Sequence, residues 1–143
     1  PAAPAPIPAL GMEEVAQVDW GALTLLGYDL HELGFAHQPD APLSPGDILH
    51  LNLYWRAEET PEEKWQVTVD VVGEDRREPA GLTGEPVSGY PTTLWQAGDV
   101  WRGQFNLPIP AHLPSGRYRL RIRLQDPAGT RFDPYLTEAL ILQ

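Results

Sequence analysis

Apolar residues fall at every second position along four stretches of this chain, and each stretch is bounded by Gly, Pro or Asp. In Ile48 to Arg56, Leu49, Leu51, Leu53 and Trp55 share one face, while His50, Asn52, Tyr54 and Arg56 share the other. Trp65, Val67, Val69 and Val71 alternate with Gln66, Thr68 and Asp70. From Val100 to Leu107 the inward set is Trp101, Phe105 and Leu107. From Arg117 to Gln125 the inward set is Tyr118, Leu120, Ile122 and Leu124. A period of two is the pattern of a half-buried antiparallel strand.

Weaker patterns complete the set. Glu13 to Trp20 suits a short edge strand, and Leu23 to Leu30 a further strand, with Gly27 marking a bulge or close packing. Leu136 to Leu142 closes the chain as a last strand. Pro45-Gly46-Asp47 and Ala97-Gly98-Asp99 are matching turn signals that each launch a strand, through shared turn chemistry rather than a repeat. The acidic turn Glu58 to Lys64 is short enough to predict a hairpin between the strands on either side. Gly73 to Gly98, with five Gly and three Pro, reads as a long irregular segment. Pro108 and Pro110 cannot both occupy a central ladder, so the chain should leave its sheet there. No stretch has a convincing helical stripe. The fold class expected is all-β, an antiparallel two-sheet β-sandwich of about seven strands, immunoglobulin-like or fibronectin-like.

Composition narrows the function classes. At 143 residues the chain is one domain's worth, enough to bury a core unaided. Cysteine is absent, which excludes disulfides and thiolate sites. The net charge of −10 argues against nucleic acid or an anionic membrane as partner. No apolar run approaches the roughly 20 residues of a membrane span. Residues 1–12 begin Pro1-Ala-Ala-Pro-Ala-Pro-Ile-Pro, which favours extended polyproline II, so they read as a linker and 13–143 as the single domain. The expected origin of this start is a joint to something upstream, with a processed secreted protein as the other reading.

Candidate chemistry is sparse. Arg117, Arg119, Arg121 and Arg123 place four guanidinium groups on one sheet face. Such a row could grip phosphates, uronic acids or an acidic partner, but its ordinary use is pairing with cross-strand carboxylates. Among the aromatics, Trp55, Trp65, Trp101 and Tyr118 fall at core positions. Tyr90 and Trp95 lie in the long irregular segment, where Trp95 is either a plug at one end of the sandwich or, with Tyr90, a platform for a sugar ring. The four histidines (His31, His37, His50, His112) are scattered without metal-ligand spacing. Loop aspartates Asp40, Asp47, Asp99, Asp126 and Asp133 could assemble around calcium, yet no Asp-x-Asp-x-Asp run exists, and Asp47 and Asp99 suit turns. No nucleophile elbow or Gly-rich phosphate loop is present, and the paired glutamates look like solvated turn charge. The expectation is a domain without catalytic residues, metal or cofactor.

Four segments carry a resemblance: Leu25-Leu-Gly-Tyr-Asp-Leu30, Leu43-Ser-Pro-Gly-Asp-Ile-Leu-His-Leu-Asn-Leu-Tyr-Trp-Arg-Ala57, Tyr90-Pro-Thr-Thr-Leu-Trp-Gln-Ala-Gly-Asp99 and Leu107-Pro-Ile-Pro-Ala-His-Leu-Pro-Ser-Gly-Arg-Tyr-Arg-Leu120. Together they span nearly the whole chain beyond the linker. They resemble a β-sandwich domain on the extracytoplasmic tail of multi-spanning glycosyltransferase-like membrane proteins of filamentous phototrophic bacteria, of the dolichyl-phosphate-mannose mannosyltransferase type. After Val67 the pattern departs: Asp70-Val-Val-Gly-Glu-Asp-Arg-Arg77 stands where the family often has a His-Leu pair and an Asp-Gly turn. The resemblance implies an extracytoplasmic, non-catalytic accessory domain, with glycan, lipid-linked sugar, partner protein or the membrane-embedded portion of the same protein as its partners. Glycosyl transfer would reside in that membrane portion, so no catalytic residue carries over. The alternatives are an independent carbohydrate-binding module of a secreted protein and a purely structural spacer.

Overall fold

A computed structural model describes residues 14–32, 35–36, 44, 46–73, 80–109, 113–114, 116–125, 127, 132–137 and 140–142. The linker 1–12 and several turns lie outside them. Among the described residues, ten strands form two five-stranded antiparallel sheets. In chain order they are β1 (Glu14–Asp19), β2 (Leu23–Glu32), β3 (Phe35–Ala36), β4 (Ile48–Ala57), β5 (Gln66–Gly73), β6 (Ala80–Gly84), β7 (Val100–Pro108), β8 (Gly116–Gln125), β9 (Tyr135–Leu136) and β10 (Leu140–Leu142). The first sheet runs β1-β2-β4-β7, with β3 also on β2; the second runs β10-β8-β5-β6, with β9 also on β8. Among the described residues there is no α-helix, only a single 3-10 turn at Thr92–Leu94. This is the expected two-sheet sandwich.

The alternating residues meet between the sheets. Leu49, Leu51, Leu53 and Trp55 of β4 and Val67, Val69 and Val71 of β5 are buried there, with Leu120, Ile122 and Leu124 of β8. The excess of strands over the expected seven has local causes. Three elements account for it: the two-residue β3, the edge strand β6, and a break in the last strand. β6 lies inside the segment read as irregular, because Ala-Gly-Leu-Thr-Gly shows no alternation. Its Gly81 is required by packing: any Cβ there would run into the Val69 carbonyl and the Asp70 side chain.

The last strand is broken at Thr137. Its N–H donates to the Leu120 carbonyl at 3.0 Å, and its hydroxyl accepts the Leu120 N–H at 3.0 Å, so a side chain replaces one rung of the ladder. A bulge shifts the register of β2 against β4 between Leu25 and Gly27, where Gly27 predicted one.

The expected hairpin between β4 and β5 does not form. β4 pairs with β2 and β7, whereas β5 pairs with β6 and β8, so the acidic turn is a crossing from one sheet to the other. Thr92 pins that crossing. Its hydroxyl accepts the Trp65 N–H at 2.9 Å and donates to the Glu63 carbonyl at 2.9 Å. Alternation fixes which face of a strand is buried, and it says nothing of which strand lies beside it.

The two turn signals have the shared geometry expected of them. Asp47 N–H donates to the Ser44 carbonyl at 3.1 Å, and the Asp47 carboxylate accepts the Ser44 N–H at 2.9 Å. Gln96 and Asp99 repeat this at 2.9 and 3.0 Å. Gly46 and Gly98 both sit at φ 90, a left-handed conformation that favours glycine.

Candidate binding groove

Two outer faces of the sandwich carry the polar side chains, and they differ in kind. On the second sheet, β8 presents the arginine row opposite β5. Arg121 donates to the Asp70 carboxylate through Nη2 at 2.9 Å and Nε at 3.3 Å, and Arg123 donates to the same oxygen at 3.1 Å. Asp70 is only 6% exposed. Arg119 donates to the Thr137 carbonyl at 2.8 Å, while Arg117 is exposed at the start of the strand. Cross-strand pairing with a carboxylate, the ordinary use of such a row, accounts for Arg121 and Arg123.

Trp95 and Tyr90 close one end of the sandwich. Trp95 is 0% exposed, its indole N–H donates to the Tyr90 carbonyl at 3.2 Å, and its ring centroid lies 6.4 Å from that of Trp101. Tyr90 is half-buried, its ring 4.7 Å from Trp101 and its hydroxyl donating to the Leu94 carbonyl at 3.2 Å. Trp95 is therefore a plug, and its ring has no solvent-facing surface for a sugar. Trp65 and Tyr118, expected in the core, pack at its margin instead, Trp65 stacked on Phe132 at 5.5 Å.

The other outer face holds a groove of about 580 Å³. Its floor is built from neighbouring outward positions of β4 and β7: His50 opposite Asn106, Asn52 opposite Gln104, then Arg102. Val87 and Ser88 form its rim, where the segment after β6 passes the edge of β7. At one end the His50 ring Nδ1 lies 2.6 Å from the Asn106 carboxamide oxygen, to which it donates in the tautomer protonated at Nδ1. At the other end Tyr54 faces Arg102 across the ladder.

Tyr54 shares the face of His50, Asn52 and Arg56, as the alternation predicts, but is 1% exposed. The alternation is kept; the outer face is simply not open along its whole length. The Tyr54 hydroxyl donates to buried Asp29 at 2.8 Å. Burial first, then the hydrogen bond and charge of Asp29, push the phenol up from 10.0 to about 12. The Arg102 guanidinium acts on the same oxygen in the opposite sense, by charge and hydrogen bonding. Beyond Tyr54, Arg56 is paired with Glu58 at 2.6 Å, which holds the Glu58 carboxyl below its ordinary value.

Neither β4 nor β7 contains an Asp or Glu, in a chain with twenty. The described lining is thus carboxamides, an imidazole, a hydroxyl, one guanidinium and the apolar Val87. Such a surface offers donors and acceptors for hydroxyl groups. Alternation puts His50 and Asn52 on an outer face, but no motif in the sequence marks Arg102, Gln104 or Asn106. The available signal was the clearing of acidic residues from outward positions of two strong strands.

The remaining candidates are dispersed. Asp47 and Asp99 each spend a carboxylate oxygen on a turn, Asp133 is exposed, and Asp40 and Asp126 lie outside the described residues. No group of three or more metal-ligating side chains occurs among the described residues. His37 and His112 also lie outside them. No helix among the described residues is long and apolar enough to cross a membrane.

The sequence matches no protein family and no curated protein. Likeness appears at the level of structure. The C-terminal domain of wzt aligns with a TM-score of 0.61 at 16% identity, over 86% of this chain and 74% of that one. A Niemann-Pick type C2 protein from Japanese carpenter ant aligns with a TM-score of 0.52 at 9% identity, over 80% and 89%. The sporulation control protein Spo0M from Bacillus subtilis aligns at 0.51 and 10% identity, over 86% and 50%. At these identities the likeness establishes the shared fold.

Proposed function

We propose that this chain is a non-catalytic binding domain that takes a glycan in the groove between β4 and β7. The observation that carries this is the lining: Asn52, Gln104, Asn106, His50, Ser88 and Arg102 around an open volume of about 580 Å³, without a described carboxylate. Carboxamides give paired donors and acceptors that suit vicinal hydroxyls, and the volume lies within the roughly 300–1,000 Å³ of small-molecule sites. The resemblance noted in the sequence supplies the finer setting, an accessory domain of a membrane-bound glycosyltransferase-like protein, acting outside the cytoplasm.

The test is titration of the isotopically labelled domain with a panel of oligosaccharides, following the side-chain amide resonances of Asn52, Gln104 and Asn106. Binding should move these signals together and leave the Trp95 indole signal in place. Shifts confined to another face, or none across the panel, overturn the groove as the site. The setting is tested separately by the complete reading frame. It should place several apolar spans of about 20 residues before Pro1; a hydrolase domain there sinks the accessory role.

A further inference from the structure

We propose that the groove selects a glycan bearing a carboxylate, a uronic acid residue, with Arg102 as its counter-ion. The proposal rests on the reading of the groove as a glycan site and names the substrate class.

Three observations converge on Arg102. It is exposed, and it is the one charged group among the described lining residues, flanked by the carboxamide of Gln104 on its own strand. The second arginine of this face, Arg56, is engaged by Glu58 at 2.6 and 3.2 Å. Arg102, by contrast, has no carboxylate among the described residues within ion-pair distance. Finally, it is positioned. The Tyr54 hydroxyl donates a hydrogen bond to Asp29 at 2.8 Å, and Arg102, its partner across the ladder, acts on the same neutral phenolic oxygen. Tyr54 therefore steers the guanidinium without cancelling its charge.

Charge matching favours a carboxylate over a phosphate. A carboxylate brings one negative charge to one guanidinium, in the planar bidentate geometry that arginine suits. A phosphate monoester brings about −1.5 to −2 and leaves charge unbalanced on a chain already at −10. The general acidity of the chain does not forbid the carboxylate. Exposed charges more than about 8 Å away are largely screened at physiological ionic strength. Neither strand of the floor carries a carboxylate, and the one beside it, buried Asp29 on β2 opposite Asn52, is engaged by the Tyr54 hydroxyl.

The experiment compares matched pairs by calorimetry: tetramers of galacturonate, glucuronate and mannuronate, each against its carboxyl-reduced neutral twin. For at least one pair the acid should bind about tenfold to a hundredfold tighter, as a hydrogen bond to a charged group predicts. Arg102→Gln should bring that ratio to about one, and Arg102→Lys should keep part of it. Gln104→Ala, within the same groove, should weaken both twins alike. Twins that bind the groove equally, or a preference that survives Arg102→Gln, overturn carboxylate selection and leave the glycan site standing. No binding by any pair overturns both.

Discussion

Trp95 closes one end of the sandwich, and its burial makes it costly to remove. Trp95→Ala opens a cavity among Tyr90, Trp101 and the neighbouring core, and a loss of about 3–5 kcal/mol is expected, read as a fall in the urea midpoint with an unchanged slope. Trp95→Phe should cost less, because only the indole contact to the Tyr90 carbonyl and part of the volume go. Tyr54 makes a different kind of prediction. Its folded pKa of about 12 lies above the ordinary 10.0, so the neutral phenol is favoured by folding. That contribution is complete below about pH 10. It falls as pH rises towards 12, since the unfolded chain loses the proton first, and it amounts to roughly 2–3 kcal/mol. Stability measured across this alkaline range should decline more steeply in the parent than in Tyr54→Phe.

At the scale of elements, β5 and β8 are tied by one carboxylate serving two guanidinium groups. Asp70→Ala should therefore cost about 1.5–3 kcal/mol, more than either Arg121→Ala or Arg123→Ala, because each single arginine change leaves Asp70 a partner. Denaturant titration of the three variants checks the order. β7 is equally sensitive at Gly103, where an added Cβ would run into the Pro86 carbonyl. Gly103→Ala should cost about 1–3 kcal/mol and move the rim residues Val87 and Ser88.

The strands with strict alternation, β4, β5, β7 and β8, were legible because each has one wet face and one dry one. β6 was not, since Ala-Gly-Leu-Thr-Gly pairs by its backbone with little side-chain burial to announce it. The neighbour of each strand was not legible either. The crossing after β4 depends on Thr92, far along the chain, bonding to Glu63 and Trp65. The groove is not legible in the sequence for a related reason: its floor joins β4 and β7, which alternation marks separately and only the sheet brings side by side.

For the molecule as a whole, the two outer faces point away from each other and carry unlike chemistry. One is an arginine row partly neutralised by Asp70; the other is an amide-rich groove with Arg102 as the charged group of its described lining. A ligand held in the groove would leave the arginine row open. Ligand-induced signals from Arg117 and Arg119 should accordingly be small compared with those of Gln104 and Asn106, a comparison the same labelled sample provides.

The passage of Pro86 to Ser88 around β7 has a bearing on how the protein behaves in a crowded solution. β7 ends its sheet, and a long strand in that place can recruit the strand of another molecule and seed insoluble material. Here the Pro86 carbonyl stands against the inner side of Gly103 while Val87 and Ser88 stand beside the outer face, so the approach of a foreign strand is obstructed. The chain segment that rims the groove is also a guard against self-association, and loosening it should show as increased light scattering.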